Sequence, residues 1–301
     1  MPVAIVGSTA TGKSALALAV ARAVGGTEIV SVDSMQVYRG MDIGTAKPTA
    51  ADRAEVPHHL IDIAEPTEDF TVVRFRQAAD DALRGIGERG NRALLAGGTG
   101  LYLRAVVDRL EPPGEWPSIR AELEREPEPA VLYARLEAMD PVAAARMTPT
   151  NRRRIIRALE VSIGSGRPFS SFGPGLTSYG ATGVVQIALR VPRPVLTARI
   201  RARFEAQMAA GFLEEVASLA RQPLSRTAGQ ALGYRELLAH LRGDIALDEA
   251  VELAITRTRQ FAVRQERWFR RDPRIAWIDA DDDANPLEAV LARLGDSIRC
   301  T

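Results

Sequence analysis

Gly7-Ser8-Thr9-Ala10-Thr11-Gly12-Lys13-Ser14 follows the short apolar run Val3 to Val6 and leads into a helical stretch, Ser14 to Val24, that stops at Gly25-Gly26. The eight residues satisfy G-x-x-x-x-G-K-[ST]. In that pattern the glycines let backbone N–H groups turn inward on an anion, the lysine reaches its outer oxygens and the hydroxyl can hold Mg²⁺. A helix that starts at Ser14 adds the positive end of its dipole. Strand, loop and helix in this order predict a phosphate-binding unit. Such a loop reads a diphosphate and not the organic group that carries it. A nucleoside triphosphate is the usual ligand but not a required one.

Outward from the loop, Glu28 to Val32 reads as a second strand ending on Asp33. A third, Arg92 to Ala96, runs into Gly97-Gly98-Thr99-Gly100 and another helical stretch. Val184 to Val191 and Ile275 to Ile278 are further apolar runs of strand length. Such strands alternating with helices predict a parallel sheet covered on both faces. Between Glu111 and Gly183 strand signals vanish, replaced by Pro112-Pro113, Pro117, Pro127 and Pro129 and by the helical stretches Ala130 to Met139 and Arg153 to Ile163. Gly164 to Gly183 reads as loop. The expected fold is therefore α/β, a P-loop NTPase-like parallel sheet flanked by helices, with an inserted all-helical domain. The expected divisions are 1–110 for the first part of the core, 111–183 for the insertion and 184–301 for its completion, with helices around Arg193 to Gln222, Gly229 to Arg242 and Leu247 to Arg271.

Composition narrows the function. A chain of 301 residues with 46% hydrophobic content buries a large core. A formal net charge of +1 excludes binding of polyanions by bulk charge, so any nucleic-acid contact must come from locally clustered base. The single cysteine, Cys300, allows no internal disulfide and fits a reducing compartment. Met1 leads straight into a core-type strand, and no apolar run approaches the length that spans a bilayer. A cytoplasmic protein without a membrane partner is expected. Basic residues are almost all arginine; Lys13 and Lys47 are the only lysines, which hints that a compact point charge is needed there.

Asp33 would emerge at the carboxyl edge of the sheet, where α/β proteins bind ligands, from a strand expected beside that of the phosphate loop. Three roles are open to it: a metal-binding acid, a general base, or a cap for the following turn. The strand ending in Gly97-Gly98 supplies no second carboxylate, which weakens an ordinary ATPase. Tyr38 to Pro48 is polar, punctuated by glycine and lacks periodicity, as functional loops near a ligand edge do. His58 and His59, without further His or Cys nearby, point to hydrogen-bonding structural roles, not a metal site. Base concentrates in Arg152-Arg153-Arg154 with Arg157, in Arg199, Arg201 and Arg203, and in Arg257, Arg259, Arg264, Arg267, Arg270 and Arg271, with Gln260, Gln265 and Trp268 among the last group. Each segment alone can be a solvated helix face. Together they fit a surface that tracks a nucleic-acid backbone, with amides and an aromatic for exposed bases.

These features resemble the tRNA dimethylallyltransferases, also called tRNA isopentenyltransferases or the IPP transferase family. The resemblance rests on Gly7 to Ser14, Ser31-Val32-Asp33-Ser34, Tyr38 to Pro48, Pro57 to Asp62, Gly97-Gly98-Thr99, Asp140 to Arg146, Arg153 to Val161, Gly233-Tyr234-Arg235 and Thr258-Arg259-Gln260, in the family's order and over nearly the whole chain. It implies transfer of a dimethylallyl group from dimethylallyl diphosphate to the exocyclic amine of the adenosine just 3′ of the anticodon, in tRNAs reading UNN codons. It further implies Mg²⁺, release of diphosphate, and a target base flipped into a channel, since an amine stacked in the anticodon loop cannot reach a buried allylic carbon. By the same resemblance Asp33 is the general base or acceptor for the amine. Lys13, Ser14 and Arg203 hold the diphosphate, with Ser14 on the metal. The tRNA, through its anticodon stem-loop, would meet Asp33, Ser34, Met35, Gln36, Thr99, Arg120, Arg153, Arg154, Arg157, Gln230, Gly233, Tyr234, Arg235, Arg259, Gln260 and Arg264. A monomer is expected.

Two departures bear on individual phosphate contacts. Many relatives carry Asn-Asp before the arginines where this chain has Pro149-Thr150-Asn151-Arg152, and a lysine is common where Val263 stands. The insertion is also compact, implying a smaller tRNA footprint. The alternative is a P-loop kinase of a small molecule, with Asp33 positioning an acceptor hydroxyl. It accounts for the first hundred or so residues and leaves the later arginine segments without a use.

Overall fold

A computed structural model describes residues 2–110, 113–173, 175–176, 178–280 and 285–299. Met1, Pro112 and Cys300 lie outside the described residues. The chain divides into two compact units, Met1–Leu110 with Ala181–Thr301, and Glu111–Gly180.

The first unit is built on a six-stranded sheet whose described pairings are all parallel. Its strands are β1 (Val3–Gly7), β2 (Thr27–Val32), β3 (His58–His59), β4 (Arg92–Gly97), β5 (Val185–Arg190) and β6 (Ile275–Asp279), in the spatial order β3-β2-β4-β1-β5-β6. Every residue of β1 is buried, as a central strand covered on both faces requires. The order corrects one expectation: β2 is not the neighbour of β1. β4 lies between them, with Leu95 opposite both Ala4 and Val30. Asp33 and Thr99 therefore leave adjacent strands, β2 and β4, at the carboxyl edge.

Helices α1 (Lys13–Val24), α2 (Ala50–Glu55), α3 (Val72–Glu88) and α4 (Gly100–Val107) belong to the first part of this unit. Helix α3 drew no notice in the sequence. Thr71 caps it by accepting from the Arg74 N–H at 3.3 Å, and it buries Phe75, Ala79 and Ile86.

The second unit holds α5 (Pro117–Leu123), α6 (Pro129–Met139), α7 (Pro141–Ala144) and α8 (Arg152–Ser165), with a core of its own around Leu132, Leu136, Ile155, Ile156 and Leu159. Proline opens α5, α6 and α7 at the first turn, where its missing N–H costs nothing. The unit ends at Gly180, short of the Gly183 expected from the sequence.

After β5 the first unit resumes with α9 (Arg193–Ala209), α10 (Phe212–Leu219), α11 (Tyr234–Leu241), α12 (Leu247–Phe269) and α13 (Pro286–Arg299). The helical stretch expected over Arg193 to Gln222 is two helices. Gly211, at φ +96°, breaks it and turns Phe212 into the core, 1% exposed.

Candidate active site

The phosphate loop joins β1 to α1. Gly12 caps the helix at φ +88°, a conformation that a side chain would strain. Ala10 takes φ +63° without being glycine, at a cost of about 1–2 kcal/mol. The loop is held by its own side chains and by one from far along the chain. Thr11 Oγ1 donates to the Ser8 carbonyl at 2.9 Å, and Lys13 Nζ donates to the same carbonyl at 3.1 Å. Gln265 of α12 accepts the Thr9 N–H at 2.9 Å.

Beside the loop lies a cavity of about 590 Å³. Thr9, Lys13, Ser14 and Arg203 line it, and so do Asp33, Ser34, Met35, Gln36 and Thr99. Ser14 is exposed to it. Burial pushes the Lys13 ammonium down to about 8. Asp33 pulls it up, while Arg203 pushes the same way as burial. Burial likewise lowers the Arg203 guanidinium, against the pull of Asp33. Two cations and one carboxylate thus line one cavity, and burial disfavours the charged form of both cations.

Asp33 Oδ1 accepts the Met35 N–H at 2.8 Å and lies 3.4 Å from the Gln36 nitrogen, so the capping role is real and leaves Oδ2 for other partners. The next turn is tied to the start of α4, as Thr99 Oγ1 accepts the Ser34 N–H at 3.1 Å. Gln36 lies in the turn that follows; its Oε1 accepts from Ser31 Oγ at 2.8 Å and its amide donates to the Thr45 carbonyl at 3.2 Å. Gly97, Gly98 and Gly100 serve close approach. A Cβ there would stand 2.1 Å from the Val32 carbonyl oxygen, 2.5 Å from the Gln265 amide and 2.1 Å from the Trp268 ring respectively.

The loop Tyr38 to Pro48 supplies Gly44, Thr45 and Ala46 to the cavity. Glu215 of α10 fastens it by accepting the N–H groups of Asp42 at 2.9 Å, Ile43 at 2.7 Å and Gly44 at 3.1 Å, plus the Tyr234 hydroxyl at 2.6 Å. Burial, then Glu215, holds the Tyr234 phenol protonated far above its ordinary range. Lys47 is accounted for here: its buried ammonium donates to Asp42 at 2.6 Å, Asp62 at 2.5 Å and the Tyr38 carbonyl at 2.6 Å. It is a strut for the loop. His58 and His59 have hydrogen-bonding roles as expected; His59 Nε2 lies 2.6 Å from Glu28 Oε2, and His58 Nδ1 2.7 Å from the Val56 carbonyl.

A second part of the lining comes from α9, α10, α11 and α12 and from the turn before α11. Ile200, Phe204, Phe212 and Phe261 make it apolar; Gln230, Arg235, Arg257, Gln260 and Arg264 make it basic and amide-rich. Arg235 is steadied by Gln230 at 3.2 Å and by the buried Glu236 at 2.9 Å, which also holds Arg257. Of the Arg199, Arg201 and Arg203 group only Arg203 lines the cavity; Arg201 pairs with Glu252 at 2.6 Å on the surface. Arg259 is exposed on α12 outside the lining. Gly233 supplies the turn before Tyr234, at φ +85°.

In the second unit Arg153 and Arg154 are exposed. Arg157 pairs at 2.9 Å with Glu160, which is fully buried, and Arg120 lies 3.7 Å from the same carboxylate. These two arginines are partly committed to the unit's own core and keep about a quarter of their side-chain surface open. Sequence reasoning missed Gln207 and Glu215. A usable signal existed for Gln207: it takes a place in the buried stripe of α9 with Leu196, Ile200 and Phe204, where an amide needs a partner, here the Ile43 carbonyl at 2.6 Å.

A sequence profile of the family described as IPP transferase matches residues 36–272, and one described as isopentenyl transferase matches residues 2–61. The chain belongs to the IPP transferase family. Among the family's curated members, a tRNA dimethylallyltransferase of a Nocardioides species is 47% identical over 93% of this chain and 91% of its own length. That of Kineococcus radiotolerans is 48% identical over 97% and 94%. Among solved structures, the family's full-length tRNA isopentenylpyrophosphate transferase from Bacillus halodurans superposes with a TM-score of 0.73, at 36% identity over 99% of this chain and 96% of that one. A eukaryotic dimethylallyltransferase described as acting on tRNA gives 0.83, at 26% identity over 99% and 79%. These matches favour a transferase over the small-molecule kinase. Among the described residues no helix is long and apolar enough to cross a membrane.

Proposed function

We propose that this enzyme, acting as a monomer, transfers a dimethylallyl group from dimethylallyl diphosphate to the N6 amine of the adenosine just 3′ of the anticodon in tRNAs reading UNN codons. The observation that carries the reading is one cavity whose described lining joins the phosphate loop, the partly buried cations Lys13 and Arg203 and a single carboxylate, Asp33. In the reaction the C1–oxygen bond of the allylic diphosphate breaks and an N6–C1 bond forms. The oxygen keeps the bonding electrons and diphosphate leaves, while the amine proton passes to Asp33 and on to solvent. Lys13, Arg203 and the loop N–H groups meet the charge that develops on the leaving oxygens, and being fixed they need no reorganisation at that moment.

Mg²⁺ fits the donors available. The Ser14 hydroxyl and Asp33 carboxylate are hard oxygens, and Mg²⁺ takes few protein ligands beside phosphate oxygens. Among the described residues no group of three His, Cys, Asp or Glu side chains makes a self-sufficient cage. Ser14 is the residue that would hold the ion, which would neutralise charge on the diphosphate. The tRNA anticodon stem-loop would lie along the arginines, with the flipped adenine among Asp33, Thr99 and the apolar wall of Phe204, Phe212 and Phe261. Incubation with dimethylallyl diphosphate, Mg²⁺ and unmodified tRNA reading a UNN codon, followed by nucleoside mass spectrometry, should yield prenylated adenosine. Its absence overturns the proposal, and removal of Mg²⁺ by a chelator should stop turnover.

A further inference from the structure

We propose that Gln265 is a positioning residue for the donor site: its side-chain amide holds the phosphate loop in shape, so that affinity for the allylic diphosphate depends on helix α12. The inference rests on the function proposed above. Gln265 is 8% exposed and makes two hydrogen bonds across the fold. Oε1 accepts the Thr9 N–H at 2.9 Å and Nε2 donates to the Gly98 carbonyl at 2.8 Å. One partner is a donor and the other an acceptor, a pair that a carboxamide satisfies and that neither a carboxylate nor an apolar side chain can.

The place of contact matters more than the count of bonds. Thr9 directly precedes Ala10, whose left-handed φ of +63° is unfavourable for a residue with a Cβ and persists only if neighbours hold it. The ties from Thr11 and Lys13 to the Ser8 carbonyl lie within the loop. Gln265 anchors the loop from outside and joins it to Gly98, next to the cavity residue Thr99. Gly98 belongs to the same device, because a Cβ there would stand 2.5 Å from the Gln265 amide nitrogen and 3.3 Å from the Gly7 carbonyl oxygen. The helix that carries Gln265 also presents Arg257, Gln260, Phe261 and Arg264 to the cavity, so donor loop and acceptor wall share one rigid support.

Three variants test this: Gln265→Leu, Gly98→Ala and the double variant. For each, KM for dimethylallyl diphosphate, KM for tRNA and kcat are measured separately, and inorganic diphosphate with Mg²⁺ is titrated by calorimetry. Gln265→Leu should raise the donor KM and the diphosphate Kd at least tenfold while the KM for tRNA stays within threefold. Gly98→Ala should do the same by displacing the amide. The double variant should be no worse than Gln265→Leu alone, because the added methyl has room once the amide is gone. An unchanged diphosphate Kd overturns the proposal. So does a parallel rise of both KM values, which marks a merely structural role, or a multiplicative effect in the double variant. If Gln265→Leu does not fold, Gln265→Glu, which keeps the acceptor for Thr9 and loses the donor to Gly98, is read against the same limits. Diphosphate binding needs no turnover, so a wild type that binds diphosphate but forms no prenylated adenosine counts against the proposed function, while Gln265 is still judged on Kd.

Discussion

Replacing Asp33 by asparagine separates the chemistry of that carboxylate from its role in the fold. Asp33 Oδ1 accepts the Met35 N–H at 2.8 Å, and an asparagine oxygen can keep this bond, so the turn that carries Ser34, Met35 and Gln36 into the cavity should survive. What disappears is the capacity to take a proton from the amine. General base catalysis is worth on the order of 10²–10⁴ in rate, or about 3–5 kcal/mol in the barrier. Under single turnover, with tRNA and dimethylallyl diphosphate saturating, Asp33→Asn should therefore lose at least a hundredfold in rate while tRNA Kd by gel shift changes less than about threefold. Asp33→Ala should lose as much rate and in addition melt earlier, since removing the acceptor strands the Met35 N–H at about 1 kcal/mol. An asparagine variant that kept more than a third of the wild-type rate would refute the assignment. So would one whose tRNA affinity fell as far as its rate, because Asp33 would then be a docking residue.

Arg203→Ala should lower kcat/KM for the donor by roughly a hundredfold, since a fixed cation at developing charge is worth about 3 kcal/mol; an effect under fivefold would place Arg203 outside the diphosphate site. Glu28 on β2 is 2% exposed, and Arg89 first, with Asn91 and His59, holds its carboxyl down at about 2 against an ordinary 4.5. Because the folded value lies below the unfolded one, the stabilisation, on the order of 3 kcal/mol, is fully present above about pH 4.5 and is lost as pH falls toward 2. Chemical denaturation of wild type and Glu28→Gln across that range should converge in acid, and parallel curves would contradict the sign. Gly44→Ala would put a Cβ 2.2 Å from the Phe212 ring, and overpacking there should cost about 1–3 kcal/mol, visible as a lower Tm. Arg264→Ala should weaken tRNA binding and reduce the slope of log K against log salt by about 1, whereas Arg201→Ala, whose cation is spent on Glu252, should leave the slope unchanged.

Several of these sites could be located from residues close in sequence, because their physics is local. The run Gly7 to Ser14 between an apolar strand and a good helix former admits few readings, and Asp33 at the end of a strand had a short menu of roles. Lys47 and Glu215 were different. Lys47 was visible as one of two lysines, but its partners Asp42 and Asp62 became evident only when the loop closed on itself, and the three loop N–H groups that Glu215 takes lie more than 170 residues before it. The glycines at 97, 98 and 100 were visible only as the end of a strand without a carboxylate, and their cause is the packing of Val32, Gln265 and Trp268 against them.

By itself the sequence determined the alternation of strands and helices, the helical insertion and the chemistry of the phosphate loop, since each depends on periodicity and on backbone freedom within a few residues. The tertiary structure alone decided that β4 runs between β1 and β2, which brings Thr99 to Ser34, next to Asp33, and that a glutamine 256 residues from Thr9 braces the loop. Strand order and cross-chain hydrogen bonds are chosen by how whole surfaces pack, and no local pattern records that choice.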